Sequence, residues 1–151
     1  MQQVLKISRK IDYALRAAIH LAGLPEGELV SHKDLAERLT MPADFTAKIM
    51  KTLAERGIVQ AVRGAHGGFR LARAASDISM LDVIEAVEGP VVLNVCLGSK
   101  GDCAVSDGCG MYDVWRLAQA RMVDVYRAAT LATLARTDKP MSLVELSVPH
   151  G

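Results

Sequence analysis

The chain has 151 residues, of which 50% are hydrophobic and 4% aromatic, and its formal net charge at pH 7 is +1. This length corresponds to one domain, or to one domain with an appendage, and it supplies enough apolar side chains for a core. Lys6, Arg9, Lys10 and Asp12 interrupt the early apolar residues, which speaks against a signal peptide. Since no apolar run approaches the roughly 18 residues of a membrane span, we expect a cytoplasmic protein.

The charge is distributed unevenly along the chain. Residues 1–73 carry 12 Lys and Arg against 7 Asp and Glu, whereas residues 74–151 carry 6 against 10. A basic N-terminal half is a candidate nucleic-acid face, although a separation of this size also arises by chance.

The N-terminal part predicts two helices in succession. Apolar residues recur at helical spacing over 9–22, and Gly23 with the proline that follows ends this first helix. A shorter helix is predicted over 32–39, because Ser31 is a favourable N-cap residue and an acidic residue follows three positions later.

A third helix is predicted over 42–56, close behind the second. Pro42 suits the first turn of a helix, and Gly57 suits the left-handed position after its end. Two short helices joined by a tight turn are typical of a helix-turn-helix unit.

A β-hairpin is predicted next. Strand-like residues at 58–62 and 69–71 flank a glycine-rich turn at 63–68, whose tip carries Arg63 and His66. After a helix-turn-helix such a hairpin is a wing; the alternative is an ordinary surface hairpin.

The second half predicts a capped helix over 79–88, a loop over 91–110, a long helix over 111–130 and a short helix near 142–146. The long helix has an apolar stripe at three-four spacing, formed by Met111, Val114, Trp115, Ala118, Met122, Val125 and Ala129. A stripe of this length needs a partner surface. A second copy of the chain is the simplest partner, and packing onto its own domain is the alternative.

All three cysteines, Cys96, Cys103 and Cys109, lie in one 14-residue stretch of the predicted loop. Three thiolates in one flexible, glycine-rich loop can converge on a single metal centre. An odd number of cysteines argues against a disulfide framework, and the gaps are longer than the roughly two to four residues between paired zinc ligands. Iron–sulfur clusters are held by cysteine thiolates, usually about four. The alternative is three small apolar residues that happen to be cysteine.

The third helix and the wing supply candidate DNA contacts. A helix in the major groove presents side chains to base edges and phosphates, and a wing arginine suits the narrow minor groove. The N-terminus of the preceding helix suits backbone phosphates. Each of these side chains is otherwise a solvated surface residue. The candidate residues are Ser31, His32, Ala43, Asp44, Thr46, Ala47, Lys48, Lys51, Arg63 and His66.

The order of four motifs resembles the IscR/NsrR family of winged helix-turn-helix transcriptional regulators. The motifs are Asp12-Tyr-Ala-Leu-Arg16, the wing Arg63-Gly-Ala-His-Gly-Gly-Phe-Arg-Leu71, the helix Leu81-Asp-Val-Ile-Glu-Ala-Val and the cysteine loop ahead of a long helix. The resemblance implies a mainly α fold with a small β wing, divided into a DNA-binding domain at 1–75 and a cluster loop with dimerisation helix at 76–151. It also implies a homodimer that binds operator DNA and carries one iron–sulfur cluster per subunit, with [4Fe–4S] favoured over [2Fe–2S].

The fourth cluster ligand separates two branches of this family. One branch places a histidine three residues beyond the third cysteine, where this chain has Tyr112. The nitric-oxide-responsive NsrR branch takes an aspartate from the first helix of the other subunit, and the matching residue is Asp12. The resemblance therefore favours a site of three cysteines and Asp12; the alternative is that Asp12 only stabilises the helix N-terminus.

These patterns together predict a DNA-binding repressor switched by a cluster that senses nitric oxide, iron or redox state. The alternatives are a regulator with a zinc or thiol switch, or an iron–sulfur electron-transfer protein that does not bind DNA. No nucleophile triad, P-loop or Rossmann glycine pattern is present, so we expect no enzyme.

Overall fold

The computed structural model describes residues 6–98 and 108–136, which form a mainly helical fold with one small sheet. The elements in chain order are α1 Arg9–Ala22, α2 His32–Arg38, α3 Ala43–Glu55, β1 Val59–Val62, β2 Gly68–Leu71, α4 Met80–Glu88, α5 Tyr112–Ala128 and α6 Leu131–Leu134. The predicted fold class is confirmed. The predicted helix near 142–146 lies outside the described residues.

Serine caps start three of these helices. The Ser31 hydroxyl accepts a hydrogen bond from the Asp34 N–H at 3.1 Å, as the sequence predicts, and Ser8 caps α1 in the same way. Ser79 and Asp82 form a reciprocal capping box at the start of α4, with hydrogen bonds of 2.8 and 3.1 Å. Each cap satisfies backbone N–H groups that have no partner inside the helix.

The turn between α2 and α3 contains a threonine in the left-handed region. Thr40 has φ +52°, and its N–H donates to Glu37 O at 3.3 Å while the Met41 N–H donates to Ala36 O at 2.8 Å. This pair of bonds is a Schellman motif, whose left-handed residue is usually glycine. A β-branched side chain at this position strains the backbone.

The wing is an antiparallel hairpin in which Val59 lies opposite Leu71. Its second strand also pairs with Val30, since the Phe69 N–H donates to Val30 O at 2.8 Å. Gly68 permits this approach, because a Cβ there would lie 2.8 Å from the Val30 carbonyl carbon. The wing is thereby attached to the segment that leads into α2.

One apolar cluster forms the core and draws residues from both sides of position 75, including Leu35, Ile49, Leu53, Val83 and Leu131. Alpha-1 lies at its centre, packing small alanine faces against α3, α4 and α6. The division into domains at 1–75 and 76–151 stays a prediction.

The long helix ends earlier than the sequence predicts. Alpha-5 stops at Ala128, and Ala129 is buried in the chain's own core at 4% exposure, so it does not belong to an outward stripe. The chain bends there because backbone bonds hold it to the start of α4: the Met80 N–H donates to Ala129 O at 2.7 Å and the Leu131 N–H donates to Ile78 O at 2.8 Å. None of the helices in 6–98 and 108–136 combines the length and hydrophobicity of a bilayer span.

Candidate nucleic-acid interface and cluster loop

One face of α3 is buried and the other is open. Ile49, Met50 and Leu53 are at most 1% exposed and hold the helix against the core. The opposite face presents four exposed candidate residues, which are Ala43, Asp44, Lys48 and Lys51, while Ala47 is half-buried. Lys51 lies 3.9 Å from Glu55, an exposed pair of little energetic weight, so its ammonium stays available.

The structure corrects the prediction that Thr46 contacts DNA. Its side chain is 0% exposed, and its hydroxyl donates to Pro42 O at 2.8 Å inside the helix. A buried hydroxyl with an intramolecular partner does not reach DNA. The helical spacing of the sequence indicates that Thr46 is buried, because Ile49, Met50 and Leu53 follow it by three, four and seven positions on the same face.

The remaining DNA candidates lie at the start of α2 and at the wing tip. Ser31 and His32 are half-buried at the N-terminus of α2, whereas Arg63 and His66 are exposed on the hairpin turn. The sequence interpretation did not select Lys33, which is exposed in the first turn of α2 and adds a cation beside His32.

Asp12 lies on α1 with a side chain that is 46% exposed, and its carboxylate pairs with the Arg16 guanidinium at 2.8 Å. The guanidinium carbon of Arg16 also lies 5.8 Å from the ring centroid of Tyr13. Tyr13 in turn contacts Phe45 of α3 edge-to-face, with ring centroids 5.7 Å apart. The sequence interpretation selected Asp12 without these neighbours.

Two of the three cysteines fall within the described residues. Cys96 lies in a single 3-10 turn at Val95–Leu97, and Cys109 lies three residues before Tyr112, the first residue of α5; both are half-buried free thiols. Cys103 lies outside the described residues. Among the residues that are described, no three His, Cys, Asp or Glu side chains form a group able to hold a metal ion.

The segment that carries Cys96 is attached to α5. The Leu93 N–H donates to the side-chain oxygen of Gln119 at 2.8 Å, and the 3-10 turn contacts the same helix. At the other end of the loop, the Tyr112 N–H donates to Cys109 O at 3.1 Å. The segment that carries Cys96 therefore contacts α5, and Cys109 lies close to the start of the same helix.

The apolar residues of α5 divide into two faces. Trp115 and Met122 are half-buried, and Met122 lines a groove of about 610 Å³ with Ile11 and Ile84 on the chain's own surface. The other face is open: Val114, Leu117 and Val125 are 65%, 54% and 37% exposed. The single predicted stripe thus serves partly as an intramolecular contact.

A helix-turn-helix followed by a β-hairpin, with exposed cations on α3 and the wing, defines a winged helix-turn-helix protein. A family model described as Rrf2, iron-dependent transcriptional regulator, matches residues 7–137. The chain belongs to the Rrf2 family and is a transcriptional regulator. Membership of this family confirms the resemblance to IscR and NsrR and the expectation that the chain is not an enzyme.

Regulators named NsrR and IscR are among the relatives of the chain. The chain is 34% identical over 128 residues to the transcriptional regulator NsrR of Bacillus licheniformis, covering 84% of this chain and 90% of that protein. It is 30% identical over 152 residues to IscR of Vibrio campbellii, covering 97% of this chain and 90% of that protein.

The fold is also similar to a solved structure of CymR, the global cysteine regulator of B. subtilis. The TM-score is 0.74 at 26% identity, with 87% of this chain and 96% of that chain covered. The chain is therefore similar to a protein described as a global cysteine regulator as well as to regulators named IscR and NsrR.

Proposed function

We propose that this chain is a cytoplasmic, homodimeric repressor whose operator affinity is switched by an iron–sulfur cluster. Cys96, Cys103 and Cys109 of one subunit and Asp12 of the partner subunit would hold the cluster. The observation that carries the proposal is the position of Cys96 and Cys109, two half-exposed thiols at either end of one loop and beside one helix. The likeness to NsrR and IscR over most of the chain supports it.

The donor set fits such a group. Thiolate sulfur is the usual ligand of iron in clusters, and a single oxygen donor can replace the fourth sulfur. Cys109 comes just before the N-terminus of a 17-residue helix, where the helix dipole favours negative charge. When bound, the cluster supplies a centre that reacts with nitric oxide or oxidants and depends on iron supply.

Asp12 is already paired with a cation on its own helix, and as a ligand it would share its carboxylate between that cation and iron. Its carboxylate oxygen Oδ2 is the atom that lies 2.8 Å from Arg16 Nη2. A carboxylate shared between a cation and iron is a weaker ligand than a thiolate, so we expect it to be the most easily displaced of the four. A coupling of about 1–3 kcal/mol between this site and DNA is enough for a useful switch.

DNA would be read by α3 and the wing. Ala43, Asp44 and Lys48 face away from the core and would meet base edges in the major groove, with Lys51 on phosphate. The exposed wing residues Arg63 and His66 would follow the adjacent minor groove. Ser31 and His32 would donate to phosphates at the start of α2.

A second copy would cover the open face of α5. Val114, Leu117 and Val125 share one face of this helix, and exposed apolar residues in such a row favour a helix of another subunit. A symmetric dimer also suits a palindromic operator, in which each half-site receives one α3.

Anaerobic purification with iron and sulfide analysis, a visible spectrum and operator binding tests the proposal. We expect a coloured protein whose operator affinity changes when the cluster is removed. Cys96→Ala, Cys103→Ala and Cys109→Ala should each abolish iron incorporation, whereas Ser106→Ala in the same loop should retain it. A colourless protein that binds its operator with unchanged affinity after chelation would refute the cluster.

A thiol switch is the second candidate, because Cys96 and Cys109 are partly exposed and free. The likeness to CymR, a cysteine regulator, favours it as well. In that case oxidation of iron-free protein would alter operator affinity reversibly, and dithiothreitol would restore it. A zinc site would give stoichiometric zinc without colour. Family membership argues against the electron-transfer alternative, since the relatives are transcriptional regulators.

A further inference from the structure

One of the contacts between α1 and α3 is a pair of aromatic rings. Tyr13 of α1 and Phe45 of α3 lie with ring centroids 5.7 Å apart and ring planes at 74°, the edge-to-face geometry that aromatic pairs prefer. Both side chains are half-buried, so the pair lies at the rim of the core. Phe45 stands in the first turn of α3, directly after Asp44, at the end of the helix that would enter the major groove.

The same tyrosine ring carries a cation that is bound to Asp12. The guanidinium carbon of Arg16 is 5.8 Å from the Tyr13 centroid, within the range of a cation–π contact. Its Nη2 is 2.8 Å from Asp12 Oδ2. Three contacts in series therefore join the Asp12 carboxylate to α3.

We infer that Tyr13 and Phe45 are positioning residues through which the state of the cluster sets the orientation of α3. The inference rests on the proposed function, in which Asp12 ligates the cluster. An Asp12 oxygen bound to iron has less negative charge to offer Arg16. The guanidinium then rearranges against its other neighbour on α1, the ring of Tyr13, and the packed ring pair passes the shift to Phe45 rather than absorbing it.

The experiment measures the operator Kd of the cluster-containing and of the cluster-free protein. The ratio of the larger Kd to the smaller Kd is the coupling between cluster and DNA. We expect Phe45→Leu and Tyr13→Leu each to reduce this ratio at least about fivefold, since allosteric couplings are commonly about 5- to 150-fold. Iron content should stay at the level of the unmodified protein. Tyr13→Phe is the matched control, because it keeps the ring and should keep the ratio within about twofold.

A ring pair that only fills space gives a different result. Loss of packing would weaken operator binding equally with and without the cluster, and an unchanged ratio in Phe45→Leu and Tyr13→Leu would overturn the inference. Arg16→Gln tests the same series from its exposed end without removing a core contact; it should also lower the ratio at full iron content. If the unmodified, iron-loaded protein has a ratio of one, the proposed function itself fails and the inference falls with it.

Discussion

The helix-turn-helix with its wing and the cysteine segment with α5 differ in how much of their surface the chain itself covers. Alpha-3 buries Ile49, Met50 and Leu53 almost completely, whereas no residue of the 17-residue α5 is buried. Six of the seven exposed large hydrophobic residues of the described chain lie between positions 92 and 125. Intramolecular packing therefore fixes the first region, and the second requires further surfaces to cover it.

Truncating the core side of α3 should produce the largest effect. Leu53 is 0% exposed, so Leu53→Ala should lower the free energy of unfolding by about 2–5 kcal/mol through lost burial and a cavity. Urea denaturation followed by circular dichroism measures it. Lys51→Ala, two residues away on the exposed face, is the control and should leave unfolding nearly unchanged while weakening specific and non-specific DNA binding about equally. Equal unfolding curves for the Leu53 and Lys51 variants would contradict the burial pattern.

The open face of α5 should respond in the opposite manner. Val114 is 65% exposed, so Val114→Asp should leave the fold of one chain intact but weaken self-association by about 2 kcal/mol or more. Light scattering at micromolar concentration should show a mass moving toward that of a single chain. Met122→Asp is a poorer test, because Met122 faces the chain's own groove and its loss would also affect folding. An unmodified protein that is already monomeric would remove the proposed interface.

The wing should affect binding without affecting stability. Arg63 is exposed at the hairpin tip, so Arg63→Ala should weaken operator binding by about 1–3 kcal/mol and reduce the salt dependence by roughly one charge. Arg63→Lys separates charge from shape: it keeps the salt slope but loses part of the affinity if the planar guanidinium is recognised. Fluorescence anisotropy with labelled operator at several salt concentrations measures both. Unchanged operator affinity for Arg63→Ala would show that the wing arginine does not contribute to DNA binding.

The turn between α2 and α3 should give the smallest change, and it should be a gain. Thr40→Gly relieves the left-handed strain of a β-branched residue and should raise the free energy of unfolding by about 1 kcal/mol. Thr40→Ala keeps a Cβ and should give a smaller gain. The thermal midpoints of the two variants and the unmodified chain distinguish these cases. A glycine variant less stable than the threonine parent would mean that the threonine side chain makes a stabilising contact.

Local patterns in the sequence were sufficient for most of the fold. Helical spacing, the Ser31 cap and the glycine-rich turn predicted α1, α2, α3 and the wing to within a few residues. The errors arose where tertiary contacts decide. Thr46 has a polar side chain but follows the buried periodicity, and α5 ends at Ala128 because the start of α4 binds the chain there.

The candidate site was less predictable than the fold. The sequence selected the cysteines and Asp12, but spacing along one helix does not reveal that Tyr13 meets a ring on another helix. The apolar residues of α5 also differ in how exposed their side chains are, and the sequence alone does not reveal this difference. Trp115 is half-buried while Val114 is 65% exposed, although both fit a three-four repeat.

The backbone bonds around Ser79 and Thr130 would make the C-terminal end of α5 the fixed point of any tilt of this helix. These bonds hold its C-terminal end to the start of α4, and Cys109 lies at the opposite end of a helix of 17 residues, or about 25 Å. A tilt of roughly 10° about the C-terminal end of α5 would move the end of the helix nearest Cys109 by roughly 4 Å. Trp115, the single tryptophan of the chain, lies in the first turn of α5 near that end, so its fluorescence would report such a tilt.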